Sequence, residues 1–249
     1  MGRKLDNVIA LYVDGVADGH LWPAADKYLA ENFVDRTGAA TDGRRGFLGP
    51  YEPLVRRFPD RLVRPVRGFE DGRRVFLHTY QSFGRGQISQ VGVDVFDTDA
   101  DDHVTARWNV TVPVVPRSRS GRSQIDGPTE VTDLAATAAN KTLVRRFITD
   151  VLMAGRSDRL EGYLDPHCYA EHSPDIPDGP QGLRYRLEHD AAAGRPVRYH
   201  EIVLLVGCGN YVATLSTASW GPARYRVFDI YRLAGSRIVE HWDAATALA

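Results

Sequence analysis

The last part of the chain carries a histidine and an aspartate at a spacing suited to proton transfer. His241 and Asp243 are separated by one residue, and residues two apart in a β-strand point to the same face of a sheet. An imidazole has an ordinary pKa of about 6.5, so it exchanges protons near neutral pH, and a neighbouring carboxylate stabilises its charged form. We predict that both residues are catalytic, with Asp243 as the base and His241 orienting it or polarising a carbonyl group.

Other polar and aromatic side chains are expected around the same cavity. Asp229 and Tyr231 share one face of the preceding predicted strand, which places them on the same concave surface. His172 is expected to reach the cavity from the helical side and to act as a second acid. The remaining candidate substrate-binding residues are aromatic and would form the cavity walls. They are Tyr163, Tyr169, Trp220 and the same Tyr231.

Each candidate also has an ordinary structural interpretation. A His-x-Asp pair on a terminal strand is often plain surface, and His172 could be only a helix–loop hydrogen-bonding group. Asp229 could pair with Arg232 or Arg237, and the aromatic residues could simply be core. Neither a metal nor another cofactor is expected, because the sequence has no HxH, HExxH, GxGxxG or GxxxxGK[ST] motif.

The order of apolar patterns and turn signals occurs twice along the chain. Apolar residues at i, i+3, i+4 and i+7 predict an amphipathic helix near the start of each half. A glycine-rich turn that opens a helix follows, at residues 42–47 and again at residues 178–183. Four strand-like segments then predict a four-stranded meander in each half. The helical stripes are Ile9, Tyr12, Val13 and Val16, and then Val144, Phe147, Ile148 and Val151. The strands are expected at 62–69, 75–83, 87–96 and 103–115, and at 197–206, 211–220, 223–233 and 237–244.

This repeated unit predicts the fold class and the domain organisation. Helices grouped apart from an antiparallel sheet indicate an α+β fold, here used twice in tandem. We expect one domain at residues 1–115 and a second at residues 133–249. Residues 116–132 are rich in Arg, Ser, Gly and Pro and show no periodicity, which is typical of a linker.

Two stretches of the second half carry the motifs of a known family. Residues 228–232 read FDIYR and residues 237–243 read RIVEHWD, while residues 169–174 read YAEHSP. With these motifs the chain resembles the SnoaL-like polyketide cyclase group of the NTF2-like superfamily. The resemblance implies, for each half, a cone-shaped α+β barrel in which helices pack on a curved antiparallel sheet around one pocket. It leaves the activity open, because this fold hosts cyclases, dehydratases, isomerases, hydrolases and binding proteins.

The first half departs from the pattern at the aligned positions. Arg107 and Asn109 stand in place of the His-x-Asp pair, and Arg36 stands about where the second half has His172. Arginine does not exchange protons near neutral pH and asparagine does not titrate. We interpret the first pocket as a degenerate, mostly structural copy, even if it holds His78. The alternative is that its two arginines form an anion-binding pocket.

The composition favours a soluble cytoplasmic protein that binds neither nucleic acid nor a membrane. The chain has 249 residues, 25% of them charged, and a net charge of −1, so no overall field attracts polyanions. No apolar run approaches the ~18 residues of a membrane span, and the N-terminus lacks the apolar core of a signal peptide. Cys168 and Cys208 are expected to be free buried thiols in a reducing compartment.

Strand parity also predicts the environment of two tryptophans. If the His-x-Asp pair faces the pocket, Trp242 faces away from it, and Trp108 takes the same position in the first half. The family resemblance implies pairing of domains through the outer faces of their sheets. We therefore expect that the two domains form an intramolecular pseudo-dimer with both indoles in or near its interface. The chain is then expected to be a monomer in solution, although a homodimer is also compatible with this pairing. The alternative is that each indole is covered by loops of its own domain or by the linker.

Together these features predict a cofactor-independent acid/base enzyme that acts on a small hydrophobic carbonyl-containing ligand. The expected reaction is an aldol-type cyclisation, an isomerisation or a dehydration, as in natural-product biosynthesis. The alternative is a non-catalytic small-molecule-binding or scaffold protein with the same fold.

Overall fold

The computed structural model describes residues 2–37 and 43–248, and its chain divides into two compact units, Met1–Val114 and Val115–Ala249. Both units contain helices and one five-stranded sheet, so the predicted α+β class and its use in tandem are confirmed. Asp42, the first residue of the glycine-rich turn predicted in the first half, lies outside the described residues. None of the described helices has the length and apolarity needed to cross a bilayer.

The first unit places its helices before a mixed sheet. Its strands lie in the order β1-β5-β4-β3-β2, with β1 parallel to β5 and the other neighbours antiparallel. The helices are α1 (Arg3–Tyr12, continued by a π-helical turn at Val13–Ala17), α2 (Leu21–Tyr28), α3 (Arg44–Leu48) and α4 (Glu52–Arg57). The strands are β1 (Leu29–Asp35), β2 (Arg61–Asp71), β3 (Arg74–Phe83), β4 (Ile88–Thr98) and β5 (Val104–Pro113).

The second unit has the same strand order, β6-β10-β9-β8-β7, with β6 parallel to β10. Its helices are α5 (Thr137–Phe147, preceded by a 3₁₀ turn at Leu134–Ala136 and continued by a π-helical turn at Ile148–Met153), a 3₁₀ helix at Ser157–Gly162, and α6 (Gly179–Ala192). The strands are β6 (Ala170–Glu171), β7 (Val197–Cys208), β8 (Tyr211–Trp220), β9 (Ala223–Ala234) and β10 (Arg237–Ala247).

The predicted strands are confirmed to within a few residues, but the four-stranded meander is incomplete. A fifth, parallel strand, β1 or β6, lies at the edge of each sheet beside the last strand. The second of these has only two residues, Ala170 and Glu171, which is too short to show the alternation by which strands are recognised. This edge strand matters because it brings residues from before α6 next to β10.

The apolar stripes predicted for the first helices pack against the inner face of each sheet. In the second unit Val144, Phe147, Ile148 and Val151 are all buried, and they join one core cluster with Val227 of β9. Full burial of one such side chain contributes about 1.5–3 kcal/mol. This packing fixes which face of the sheet is turned towards the helices.

A β-bulge sets the direction of the side chains at the end of the second sheet. Ile238 pairs with Leu233 and Glu240 pairs with Arg232, so Val239 is the extra residue. Without the bulge, Glu240 would share the inner face with Ile238, because side chains alternate along a strand. The first unit has the corresponding bulge between β4 and β5.

The predicted linker has no helix or strand, yet it packs on the outer face of the second sheet. The indole N–H of Trp242 donates to the Asp126 carbonyl at 3.0 Å, and the Tyr211 hydroxyl donates to the Pro128 carbonyl at 2.5 Å. Trp242 is 1% exposed and faces away from the helices, as strand parity predicts. The linker therefore covers this indole. Cover by the linker was the alternative to burial of Trp242 in an interface between the two domains. Trp108 is half-buried, and the Arg36 guanidinium lies 5.5 Å from its ring centre.

Cys168 and Cys208 form no disulfide within the described residues, and the expectation that both are buried is wrong for one of them. Cys168 is exposed on the loop before β6, and Cys208 is half-buried at the end of β7.

Substitution of Gly127 tests this docking of the linker. Gly127 has φ +92°, and an added Cβ would lie 2.4 Å from Glu240 Oε1 and 2.8 Å from the Trp242 ring. Gly121 also has a positive φ, +78°, but an added Cβ there meets nothing within 4 Å. We expect Gly127→Ala to lower the free energy of unfolding by about 2–4 kcal/mol and Gly121→Ala by only about 1 kcal/mol, measured by urea denaturation. Equal losses would contradict the docked linker.

Candidate active site

Strands β9 and β10 bring four of the predicted residues to the inner face of the second sheet. Tyr231 pairs directly with His241, and Asp229 pairs directly with Asp243. All four line one cavity between the sheet and the helices. The sequence therefore placed the His-x-Asp pair and its two partners on the correct face.

His241 is held between two carboxylates. Its Nδ1 lies 2.8 Å from Glu171 Oε1, and its Nε2 lies 3.1 Å from Asp229 Oδ1. Burial alone would lower the pKa of the imidazole, but the charges and hydrogen bonds of Glu171 and Asp229 outweigh burial and raise it well above 6.5. His241 is therefore an imidazolium that donates from both nitrogens. It has no ring nitrogen free to polarise a carbonyl group, contrary to one of the two roles predicted for it.

Glu171, the first of these two carboxylates, was not predicted from the sequence to belong to the site. It is fully buried on β6, where its Oε2 accepts from the Tyr169 hydroxyl at 2.7 Å and its Oε1 accepts from the Ser173 backbone N–H at 2.9 Å. Tyr169, Glu171 and Ser173 share one face of an extended segment, but the two-residue strand is too short for this alternation to be recognised in the sequence. The parallel pairing with His241 that makes Glu171 important is a non-local contact.

Two further polar partners complete the site. The Ser173 hydroxyl donates to Asp243 Oδ2 at 3.0 Å, and the Tyr199 hydroxyl donates to Asp229 Oδ1 at 2.9 Å. Tyr199 lies on β7, which is separated from the strand of Asp243 by β9 and β8. Neither residue carries a sequence signal of its own, because the contacts depend on the way the sheet curves around the cavity.

The Asp243 carboxyl has an unusual affinity for protons. Burial, together with the nearby charges of Glu171 and Asp229, raises its pKa from 3.8 to about 7, against the lowering effects of His241 and of the Ser173 hydrogen bond. The side chain keeps part of its surface accessible, and that surface borders the cavity. Two carboxylates already face one imidazolium, so ionisation of Asp243 adds a third negative charge to this cluster.

The cavity is small and mostly apolar. Its volume is about 70 Å³, which exceeds the ~10–15 Å³ that holds one water molecule. Tyr169, Tyr231 and Trp220 line it, as predicted. Aliphatic and Phe side chains supply most of the remaining wall. They are Phe147, Leu152, Ile176, Leu183, Leu187 and Val197.

Residues 144–241 match the family model of the SnoaL-like domain. The second unit contains a SnoaL-like domain. The match ends at the histidine between the two carboxylates, and the first unit repeats the strand order of this domain. Comparison with curated proteins gives no match.

Solved structures similar to this chain come from several bacteria. Wild-type IdmH, a proposed polyketide cyclase from Streptomyces antibioticus, is 17% identical, with a TM-score of 0.37, over 44% of this chain and 92% of that one. TsrD from Streptomyces laurentii is 19% identical, with a TM-score of 0.37, over 43% and 88%. An NTF2-like protein of unknown function from Cytophaga hutchinsonii is 18% identical, with a TM-score of 0.35, over 45% and 93%.

Two predicted site residues of the SnoaL-like domain lie outside the cavity. His172 directly follows β6, so its side chain points opposite to that of Glu171. Its Nε2 lies 2.8 Å from Glu240 Oε1, its Nδ1 lies 2.6 Å from the Ser123 carbonyl, and its ring stacks on Trp242. The expectation that His172 acts as a second acid in the cavity is therefore wrong. Its role is structural, but it joins β10 to residues 116–132 and not a helix to a loop.

Tyr163 is the other residue that the structure places elsewhere. Its hydroxyl donates to Asp150 at 2.5 Å, and its ring packs edge-on against Phe147. It is half-buried against the core, just after the 3₁₀ helix that carries Leu160, and it borders a groove beside α5 instead of the cavity. Arg232 pairs with Glu240 at 2.6 Å and not with Asp229, in agreement with its strand parity.

The first unit builds the same arrangement with a different cation. Arg107 Nε lies 2.7 Å from Asp94, and Arg107 Nη1 lies 3.4 Å from Asp35. The strand registers equate Arg107 with His241, Asn109 with Asp243, Asp94 with Asp229 and Asp35 with Glu171. These registers are Asp94↔Asn109 and Asp35↔Arg107 in the first unit, and Asp229↔Asp243 and Glu171↔His241 in the second.

This arrangement bears on the two interpretations of the first pocket. The Arg107 guanidinium is already paired with two carboxylates and lies against the rings of Tyr12 and Phe47, which does not favour an anion site there. His78 alternates with core residue Leu77 and contacts Arg67 at 3.1 Å, so it points away from the helices.

Metal binding can be assessed within residues 2–37 and 43–248. In that part of the chain, no group of three or more His, Cys, Asp or Glu side chains is arranged to hold a metal ion. Both nitrogens of His241 are engaged by carboxylates, so the imidazole offers no lone pair as a ligand.

Because the pKa of Asp243 is raised, replacing its carboxyl group is expected to stabilise the fold by an amount that depends on pH. A carboxyl with a pKa of 3.8 in the unfolded chain and about 7 in the folded protein destabilises the fold increasingly as the pH rises between these values. Asp243→Asn should therefore raise the free energy of unfolding by roughly 2–4 kcal/mol at pH 8, and the gain should shrink towards zero near pH 4.

Urea unfolding between pH 4.5 and pH 8.5 measures this gain, with Asp101→Asn as the control at an exposed aspartate. A variant Asp243→Asn that is less stable than the parent at pH 8 would contradict the raised pKa.

Proposed function

We propose that the second unit is a cofactor-independent acid/base catalyst that removes a proton next to the carbonyl group of a small hydrophobic compound. The observation that carries the proposal is the Asp243 carboxyl, which has a pKa of about 7 and borders a mostly apolar cavity. A general base is most effective when its pKa lies near the working pH. An aspartate at its ordinary pKa would be a much weaker base.

The contacts of Asp243 leave it able to reach a ligand. Ser173 engages Oδ2, and within the described part of the chain no hydrogen bond to Oδ1 is found. The Ser173 contact fixes the orientation of the carboxyl, as a positioned base requires. One oxygen is thus anchored while the other is available for a C–H proton.

His241 supports the base as a fixed positive charge. Burial raises the pKa of Asp243, the imidazolium lowers it, and Glu171 and Asp229 raise it, so that together they place it at about 7. Because its own pKa is far above 6.5, His241 keeps its proton while Asp243 exchanges one.

The family and the cavity narrow the class of reaction. Removal of a proton next to a carbonyl gives an enolate, from which an aldol-type cyclisation, an isomerisation or a dehydration can proceed. The SnoaL-like domain and its similarity to the proposed polyketide cyclase IdmH support this class. The apolar lining favours a hydrophobic substrate.

We further propose that catalysis belongs to residues 133–249, with residues 116–132 as the connecting segment and residues 1–115 as a structural copy. Asn109 replaces the base in the first unit, and Arg107 replaces the imidazolium. The first unit thus retains the buried ion pairs of the second without a titrating carboxyl at the position of Asp243.

Exchange of carbon-bound hydrogen for deuterium tests the proposal without knowledge of the natural substrate. NMR spectroscopy would follow α-carbon exchange in D₂O for a panel of monocyclic and bicyclic ketones and β-diketones. We expect catalysed exchange that rises with pH through about 7 and then levels, since the ionised carboxylate is the base. Asp243→Asn should lower the rate of catalysed exchange about 10²-fold or more. The matched variant Asn109→Ala should exchange at a rate near that of the parent protein.

Equal losses from the two variants would contradict catalysis by the second unit alone. Tight binding of a panel ketone without exchange would favour the binding-protein alternative.

A further inference from the structure

Tyr231 carries a buried hydroxyl group that has no hydrogen-bond partner among the described residues. The residue is 2% exposed and lines the cavity, and no described residue makes a hydrogen bond to its hydroxyl oxygen. A buried hydroxyl without a partner costs about 1–3 kcal/mol, so such groups are rare unless a ligand or water meets them.

The other hydroxyl groups of the cavity are all committed to carboxylates. Tyr169 donates to Glu171 at 2.7 Å, and Tyr199 donates to Asp229 at 2.9 Å. Ser173 donates to the base itself. Among the tyrosine and serine hydroxyls that line the cavity in the described residues, that of Tyr231 alone is left for a ligand.

The position of Tyr231 relative to the base suits a single small ligand. Tyr231 pairs with His241 across the two strands, while Asp243 pairs with Asp229. Tyr231 and Asp243 are therefore diagonal neighbours on the inner face, whose backbones are typically about 7–8 Å apart. A carbonyl group and its adjacent carbon can lie between two side chains at that separation.

The surroundings of Tyr231 keep its hydroxyl protonated. Burial, followed by the charges of Asp229, Glu171 and Asp243, raises its pKa well above 10. Its ring stacks on the His241 imidazolium, with ring centres 5.0 Å apart. The ring is thus held in place, and the hydroxyl is a donor and not a competing base.

We propose that the Tyr231 hydroxyl donates a hydrogen bond to the carbonyl oxygen of the substrate and to the enolate oxygen that forms when Asp243 removes the neighbouring proton. This inference rests on the proposed function. In the step, the C–H bond breaks and its proton goes to Asp243. The C–H electron pair forms the C=C bond of the enolate, and the carbonyl π pair moves to oxygen. A donor placed at that oxygen stabilises the charge as it develops.

The inference also specifies the substrate class. The ligand must present one carbonyl oxygen at Tyr231 and an acidic C–H bond on the adjacent carbon towards Asp243. The oxygen must be able to carry negative charge in a mostly apolar cavity of about 70 Å³. A ketone or β-dicarbonyl compound fits these requirements, whereas a carboxylate would bring its charge into the cavity before reaction.

A phenol tests the contact without turnover. The ionised form of 4-nitrophenol presents a planar ring and a charged oxygen, as an enolate does, and its visible absorption reports its ionisation. Binding is measured in protein that carries the substitution Asp243→Asn, because the asparagine amide mimics the protonated carboxyl of the base. In this background we expect Tyr231→Phe to weaken binding of 4-nitrophenolate about 10- to 100-fold.

The control is Tyr211→Phe, on the outer face of the sheet, which should leave the affinity unchanged. Equal affinity with and without the Tyr231 hydroxyl, or no binding of 4-nitrophenolate at millimolar concentration, would overturn the proposal.

Thermal unfolding separates a ligand-binding hydroxyl from a structural one. Tyr231→Phe should leave Tm unchanged or raise it by a few degrees, because an unpartnered buried group is removed. Tyr199→Phe removes a hydroxyl that donates to Asp229, so its Tm should fall. A fall of several degrees for Tyr231→Phe would show that its hydroxyl has a partner within the protein and would overturn the proposal.

These outcomes are distinguishable from failure of the proposed function. If Asp243→Asn leaves deuterium exchange intact while Tyr231→Phe loses phenolate binding, the base assignment fails and the Tyr231 contact stands. If exchange depends on Asp243 but neither exchange nor phenolate binding depends on Tyr231, the base assignment stands and the Tyr231 contact fails.

Discussion

The ion cluster of Glu171, His241 and Asp229 is the interaction on which the second unit depends. It joins three strands, because Glu171 lies on β6, His241 on β10 and Asp229 on β9. Removing one member of a buried ion pair typically costs about 3–5 kcal/mol, since the partner is left charged and unpaired. Burial is the main cause of the raised pKa of Asp243, and the two carboxylates and one cation of this cluster act on the same pKa, so the interaction that fixes the edge of the sheet also affects the proton affinity of Asp243.

Under the proposed function, the two units use one framework for an active copy and a structural copy. In the first unit a guanidinium takes the place of the imidazolium between Asp94 and Asp35, and the ion cluster is preserved. The change that removes acid/base chemistry is the replacement of Asp243 by Asn109, whose amide donates to Asp94 at 2.9 Å. An amide relieves the crowding of negative charge that raises the pKa of Asp243. Stability and catalysis are therefore opposed at this position, as is common where a functional group is held in an unfavourable environment.

Local patterns predicted most of the fold, since alternation and helical periodicity depend on neighbouring residues. Strand parity predicted that Asp229 shares a face with Tyr231 and that His241 shares a face with Asp243, while the bulge at Val239 turns the second pair inwards. The role of Glu171 and the outward direction of His172 were not predicted, because both depend on a two-residue parallel strand beside β10. Docking of residues 123–128 on the outer face was also beyond prediction, since the contacts of an irregular segment leave no periodic signal.

The central claim is that His241 remains charged while Asp243 titrates near neutral pH. An NMR titration of the protein with ¹³C- and ¹⁵N-labelled side chains, with assignments from Asp243→Asn and His241→Gln, measures both groups in one experiment. The account predicts two protonated ring nitrogens for His241 from pH 5 to pH 8 and a carboxyl midpoint near 7 for Asp243. A histidine that titrates near its ordinary pKa of about 6.5, together with an Asp243 carboxyl already ionised at pH 5, would contradict it.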